Sequence, residues 1–158
     1  MKKLSIAAII TTAAYLGFAL NIGISYGVYW PQMDPMLFMQ DFAEKFPLFL
    51  PGAGLTLVPA LFLSIYLFVK TKADKASKNA WKIAMIALVL VNVITSVYHI
   101  PVNFGFMDLA YSASEATGKL QIWIVLHWVR IILAIVASVY AVVGFQKSVE
   151  YETNAVKG

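Results

Sequence analysis

Trp123, His127 and Arg130 stand at i, i+4 and i+7 of an otherwise apolar run. At about 100° per residue an α-helix puts this indole, imidazole and guanidinium on one face. Arg130 is the only arginine; every other cation is a lysine at the edge of an apolar run or between runs. A guanidinium inside a membrane helix costs about 2.5–3.5 kcal/mol on insertion scales, so a retained one marks a functional site by default. Asn92, Ser96 and His99 repeat the spacing, and the stripe reaches Asn103 if the helical direction survives Pro101. Asn21 and Ser25 occupy a comparable level of the first apolar run. No Asp or Glu lies inside an apolar run. Arg130 must therefore use carbonyls, amide or hydroxyl oxygens, water, a loop carboxylate (Asp34, Asp41 or Asp108), or a ligand's negative charge. A fixed cation without a fixed anion suits an anion that forms only during reaction.

The elements that position these groups are membrane helices. Of 158 residues 61% are hydrophobic and 13% charged, whereas a soluble domain is about 45–50% apolar and 25% charged. One integral membrane domain, residues 1–158, is expected, all-α, with spans near 4–29, 53–69, 81–100 and 120–145. The first run is much longer than the roughly 7–15-residue core of a signal peptide, so it reads as a retained span. Gly23 and Gly27 in it have a spacing that lets another helix approach closely. Pro31, Pro35, Pro47 and Pro51 bracket Met36 to Phe46, whose apolar and charged residues alternate as in a short amphipathic helix lying at the interface, a candidate lid. Cysteine is absent, which excludes disulfides, iron–sulfur clusters and thiolate zinc sites.

Lys70, Lys72, Lys75, Lys78 and Lys82 cluster between the second and third runs. The positive-inside rule puts this connection and both termini in the cytoplasm and the connections around Met36 and Asp108 outside. The expected fold is thus an up-down four-helix bundle with an outward-opening polar pocket. His127 should lie roughly 10 Å below the outer end of its helix, at about 1.5 Å per residue. A bacterial inner membrane fits the short connections and the basic flank. The lysines form no aromatic-interleaved stripe, so no nucleic-acid partner is expected; membrane lipids are, and a homo-oligomer is compatible with the chain. Each polar residue also has a structural reading. His99 can be a helix-terminal histidine bonded to backbone. Asn21, Asn92 and Ser96 can be interhelical glue, and Trp30, Tyr98 and Trp123 an aromatic belt.

In size, span layout and two short motifs, the chain resembles the anthrone-oxygenase-like family of small four-span membrane proteins. The motifs are Pro101 with Asn103 after the third span, and Trp123, His127 and Arg130 on the fourth. The resemblance implies a monooxygenase that needs no cofactor and converts an anthrone, a tricyclic ketone with an activated methylene, to the quinone. On that reading His127 is the general base, and Arg130 with Asn103 or Asn92 stabilises the enolate. Trp123 and Tyr98 flank the rings, with His99, Asn92, Ser96 and Asn21 completing the substrate pocket. The bilayer delivers the lipophilic substrate. Two other classes remain open. One is a b-type haem electron-transfer subunit ligated by His99 and His127, which by residue count sit at unequal depths. The other is a non-enzymatic scaffold or assembly subunit. A histidine-only metal site falls short of the usual three protein ligands of catalytic zinc.

Overall fold

The computed structural model describes residues 2–71 and 74–157, with side chains to 155, so Met1 and Lys72 of the basic flank lie outside the described residues. Four helices follow one another: α1 (Lys2–Gln32), α2 (Pro35–Lys70), α3 (Lys75–Met107) and α4 (Ala113–Lys157). All four are long and apolar enough to cross a bilayer. Each packs on the next, and α4 closes the ring against α1. The amino end of α1, the α2–α3 connection and the carboxyl end of α4 share one end of the bundle. There Lys2 pairs with Glu152 at 2.9 Å, and Ser77 donates to the Gly144 carbonyl at 2.8 Å.

Helix starts follow local chemistry. Asp34 accepts from the backbone N–H groups of Met36 and Leu37 ahead of Pro35, and Asp74 accepts from those of Ala76 and Ser77. Both are N-caps that satisfy otherwise orphaned donors. From Asp34 onward α2 is one helix of 36 residues. Residues 36–46 are its first three turns, and no separate interfacial helix forms. Pro47 and Pro51 lie inside α2 and remove the hydrogen bonds to the Ala43 and Pro47 carbonyls. Both prolines are exposed, and tertiary packing of Phe38, Met39 and Phe42 on one side and Leu57 and Ala60 on the other carries the helix across them.

Two further boundaries differ from expectation. α3 does not stop at Pro101 but continues to Met107, because a wide π turn, Thr95–His99, precedes the proline. Val97, whose carbonyl the Pro101 ring would strike in a regular α-helix, lies in that turn. α4 begins at Ala113, so His127 lies about 21 Å along its helix at 1.5 Å per residue, deeper than a start near 120 implied. Its 45 residues span about 68 Å, well beyond a hydrocarbon core of about 30 Å.

Three apolar clusters stack along the bundle. Nearest the lysine-rich end, Trp81 is wholly buried against Gly144. A Cβ at Gly144 would stand 2.8 Å from Trp81 Cε2, closer than packed carbons tolerate. Gly144→Ala should therefore destabilise the protein by about 1–3 kcal/mol, seen as a lower thermal unfolding midpoint in detergent. An unchanged midpoint would contradict this packing.

Candidate functional site

α4 delivers Trp123, His127 and Arg130 to the bundle interior on successive turns, as their spacing predicts, and all three are buried. The Trp123 and His127 rings stack, with centroids 5.0 Å apart and planes 5° apart. His127 is fixed from α1, where its Nε2 donates to the Ala19 carbonyl at 2.9 Å. That bond leaves the lone pair on Nδ1. Gly23, one turn further on, lies against the Cδ2–Nε2 edge of the same ring; a Cβ there would come within 3.3 Å of His127 Cδ2 and 2.8 Å of Ile131 Cδ1. The close approach expected of Gly23 is realised here, while Gly27 faces open space apart from one carbonyl. With the Cδ2–Nε2 edge on α1, Nδ1 is turned away from that helix, buried and without a hydrogen bond.

Arg130 donates from Nη2 to the Tyr15 hydroxyl at 3.2 Å, and its Nε is buried without a partner. Among the described residues no carboxylate pairs with it. Asp34 caps α2, Asp41 accepts from Trp30 Nε1 at 2.9 Å and from Lys45, and Asp108 is exposed at the end of α3. Spacing alone does not single out Tyr15, which shares the first span with the hydroxyls of Thr11 and Thr12 and lies one helical turn before Ala19.

α3 brings a different set from the expected stripe. Its buried face passes through Ala84, Leu88 and Val91, and regular α-helical spacing would continue to Tyr98. The π turn inserts one residue, so His99, Val102, Asn103 and Phe106 face inward instead. Asn92 and Ser96 consequently leave the His99 face. Asn92 donates to the Leu88 carbonyl of its own helix at 2.9 Å, and Ser96 is exposed. Tyr98 is half-buried and donates to the Lys119 carbonyl at 3.1 Å, tying α3 to α4. α1 has a matching π turn, Ile22–Tyr26; Asn21, just before it, is exposed and accepts from Ser25 at 3.4 Å.

His99 is buried, with Nδ1 donating to the Ile94 carbonyl at 3.4 Å and Nε2 lacking a hydrogen bond. Its ring centroid is 5.2 Å from that of Trp123 and 6.3 Å from that of His127. Asn103 Oδ1 accepts from Trp123 Nε1 at 2.8 Å. This fixes the amide and leaves its N–H pair free to donate to a ligand.

Together His99, Asn103, Trp123, His127 and Arg130 wall a cavity of about 150 Å³, completed by apolar residues and Thr95. The cavity does not open along the bundle axis toward the end opposite the lysines. Trp30, Phe38, Phe42, Phe106 and Trp123 fill that route as edge-to-face and tilted pairs with centroids 4.9–6.5 Å apart. Trp30 is 1% and Trp123 4% exposed, so neither belongs to a lipid-facing aromatic belt. No cluster of three metal-ligating His, Cys, Asp or Glu side chains occurs among the described residues.

Replacing Asn103 by Leu leaves the Trp123 N–H buried and unpaired. Asn103→Leu should cost about 1–3 kcal/mol, read as a fall in thermal midpoint that Asn103→Gln partly restores; equal midpoints for wild type and Asn103→Leu would refute the pairing. Comparison with protein-family models, curated proteins and solved structures finds no match for this chain.

Proposed function

We propose that this membrane protein is a cofactor-independent oxygenase acting on a lipophilic, enolisable aromatic compound. The observation that carries the reading is that His127 and the chain's single arginine wall one cavity, each with a buried nitrogen, His127 Nδ1 and Arg130 Nε, that has no hydrogen-bond partner. A base beside a fixed cation favours removing a proton from carbon and holding the electrons that remain on oxygen. Low local polarity strengthens the cation's hold on that oxygen.

In this reaction His127 Nδ1 takes a proton from a ring methylene, and the enolate oxygen sits against Arg130 Nε and the Asn103 amide. The enolate is itself the reductant. It passes an electron to dioxygen, the resulting radicals combine to form the carbon–oxygen bond, and the peroxide takes the proton back from His127. Loss of water, which breaks the O–O and remaining C–H bonds, leaves a ketone. One dioxygen is consumed per substrate; one of its atoms enters the product and the other leaves as water. An anthrone, the substrate class implied by the family resemblance, undergoes this conversion; its methylene lies in the central of three fused rings, so its binding requires side chains around the void of about 150 Å³ to move aside. The positive-inside rule assigns the lysine-rich end to the cytoplasm, which puts the cavity in the outer half of the bilayer.

The test is oxygen uptake by purified protein with a panel running from one-ring enolisable phenols to tricyclic anthrones. Wild type should consume one dioxygen per product formed. His127→Ala should abolish the reaction, and Arg130→Met should slow it by about 10²–10³-fold, the usual loss when an anion-stabilising donor is removed. Uptake that is unaffected by His127→Ala would remove the base from the mechanism.

The 6.3 Å spacing of two imidazoles, each with a nitrogen lacking a hydrogen bond, also supports a second reading, bis-histidine ligation of a b-type haem. A void of about 150 Å³ is well below the roughly 300–1,000 Å³ of sites that enclose large ligands, so haem would have to displace the aromatic packing. A Soret band in protein purified from haem-supplemented cells, lost in His127→Ala, would establish this reading and overturn the oxygenase.

A further inference from the structure

We infer that the cavity is loaded sideways from the hydrocarbon, through the seam between α2 and α3, by a lipophile that inserts only an oxygenated, ring-sized head. What happens to that head afterwards rests on the proposed function, whereas the route rests on packing alone.

Three of the four seams around the cavity are shut by close contacts. Between α1 and α4, His127 bonds to Ala19, and Gly23 lies against His127 and Ile131. Between α3 and α4, Asn103 accepts from Trp123 and Lys119 from Tyr98. Between α1 and α2, Gly52 is pressed on the Phe18 ring, where a Cβ would stand 2.9 Å from Cε2. The outward end is plugged by the Trp30 and Phe42 cluster.

The remaining seam is different. Leu50 on α2 and Ile100 on α3 both wall the cavity, yet they are 52% and 43% exposed, as residues at a mouth must be. Above them Phe38 and Phe42 join Phe106 across the same two helices, and below them Leu57 and Ala60 belong to one core with Leu88 and Val91. The opening is therefore a window bounded on all sides. Pro47, Pro51 and Pro101 stand beside it, where missing backbone hydrogen bonds make both helices easier to part.

Size defines the guest. A void of about 150 Å³ holds about one benzene-sized ring. Anything larger must leave the rest of itself in the window, among Leu50, Ile100 and lipid. Arg130 and His127 wall the void, each with a nitrogen that lacks a partner, so the head that suits it carries an acceptor oxygen and a proton to give up.

The chain has no cysteine, so one introduced thiol reports access without interference. Ile22→Cys places it on the buried α1 wall of the cavity, and Val97→Cys, on the lipid-exposed surface, serves as reference. In phosphatidylcholine vesicles at alkaline pH, N-dodecylmaleimide offers a ring-sized dicarbonyl head on an alkyl tail, and N-(2-carboxyethyl)maleimide offers the same head in water. N-dodecylmaleimide should modify Ile22→Cys, and Leu50→Trp should slow that reaction about tenfold relative to Val97→Cys by filling the mouth with an indole. Leu50→Ala should speed it, a gain that a misfolded protein would not show selectively. Labelling that ignores both Leu50 variants, or that proceeds as fast with the charged reagent through a Leu50→Trp mouth, would overturn lateral loading. The readout is independent of turnover. Window-dependent labelling without oxygen uptake would remove the oxygenase and keep the route, and uptake with window-independent labelling would do the reverse.

Discussion

One clasp between α1 and α4 organises the interior. A guanidinium and an imidazole are costly to bury in a membrane protein, and here both are anchored by the same stretch of α1: the Tyr15 hydroxyl for Arg130 and the Ala19 carbonyl for His127. These partners lie one turn apart, and Gly23 follows at the next turn to let α4 come close enough for the bonds to form. The clasp satisfies each side chain only in part. Arg130 Nε and His127 Nδ1 stay buried and unpaired, and an unmet polar group in a low-dielectric interior is a standing preference for a ligand that supplies the missing partner.

Around this clasp two π turns set which residues join it. A π turn adds one residue to a helix without adding a turn, so every side chain beyond it moves to a new face. In α3 this exchanges Tyr98 for His99 on the inner face and carries Asn103 to Trp123. In α1 the corresponding turn is followed by Trp30, which turns inward to form the aromatic plug with Phe38 and Phe42. Asp41 holds that indole by its N–H. A carboxylate that looked available to Arg130 thus positions the plug instead.

Much of the site is legible in the sequence. Trp123, His127 and Arg130 lie on an uninterrupted α-helix, so i, i+4 and i+7 arithmetic holds; burial of His127 and Arg130 follows from the cost of exposing them to lipid, whereas an indole such as Trp123 is equally at home in an aromatic belt. The same arithmetic failed for Asn92 and Ser96 because it assumes 3.6 residues per turn through Thr95–His99. Nothing in the composition of that segment announces a wide turn except Pro101 beyond it. Helix ends depart from the sequence expectation for a related reason. Pro47, Pro51 and Pro101 do break hydrogen bonds, but packing on both sides of each proline outweighs the bonds lost.

The amino-acid sequence by itself determined four apolar helices, a lysine-rich end, and one face carrying a base and a cation, because hydrophobic run length, charge placement and helical period are local properties of the chain. Only the tertiary structure decided which partners those groups meet, that Tyr15 stands where a carboxylate was sought, that the axial route is sealed by aromatic rings, and that the free space is about 150 Å³. Those outcomes depend on how closely each pair of helices approaches, and that distance is set by side chains far apart in sequence, such as Gly23 against His127 and Gly52 against Phe18.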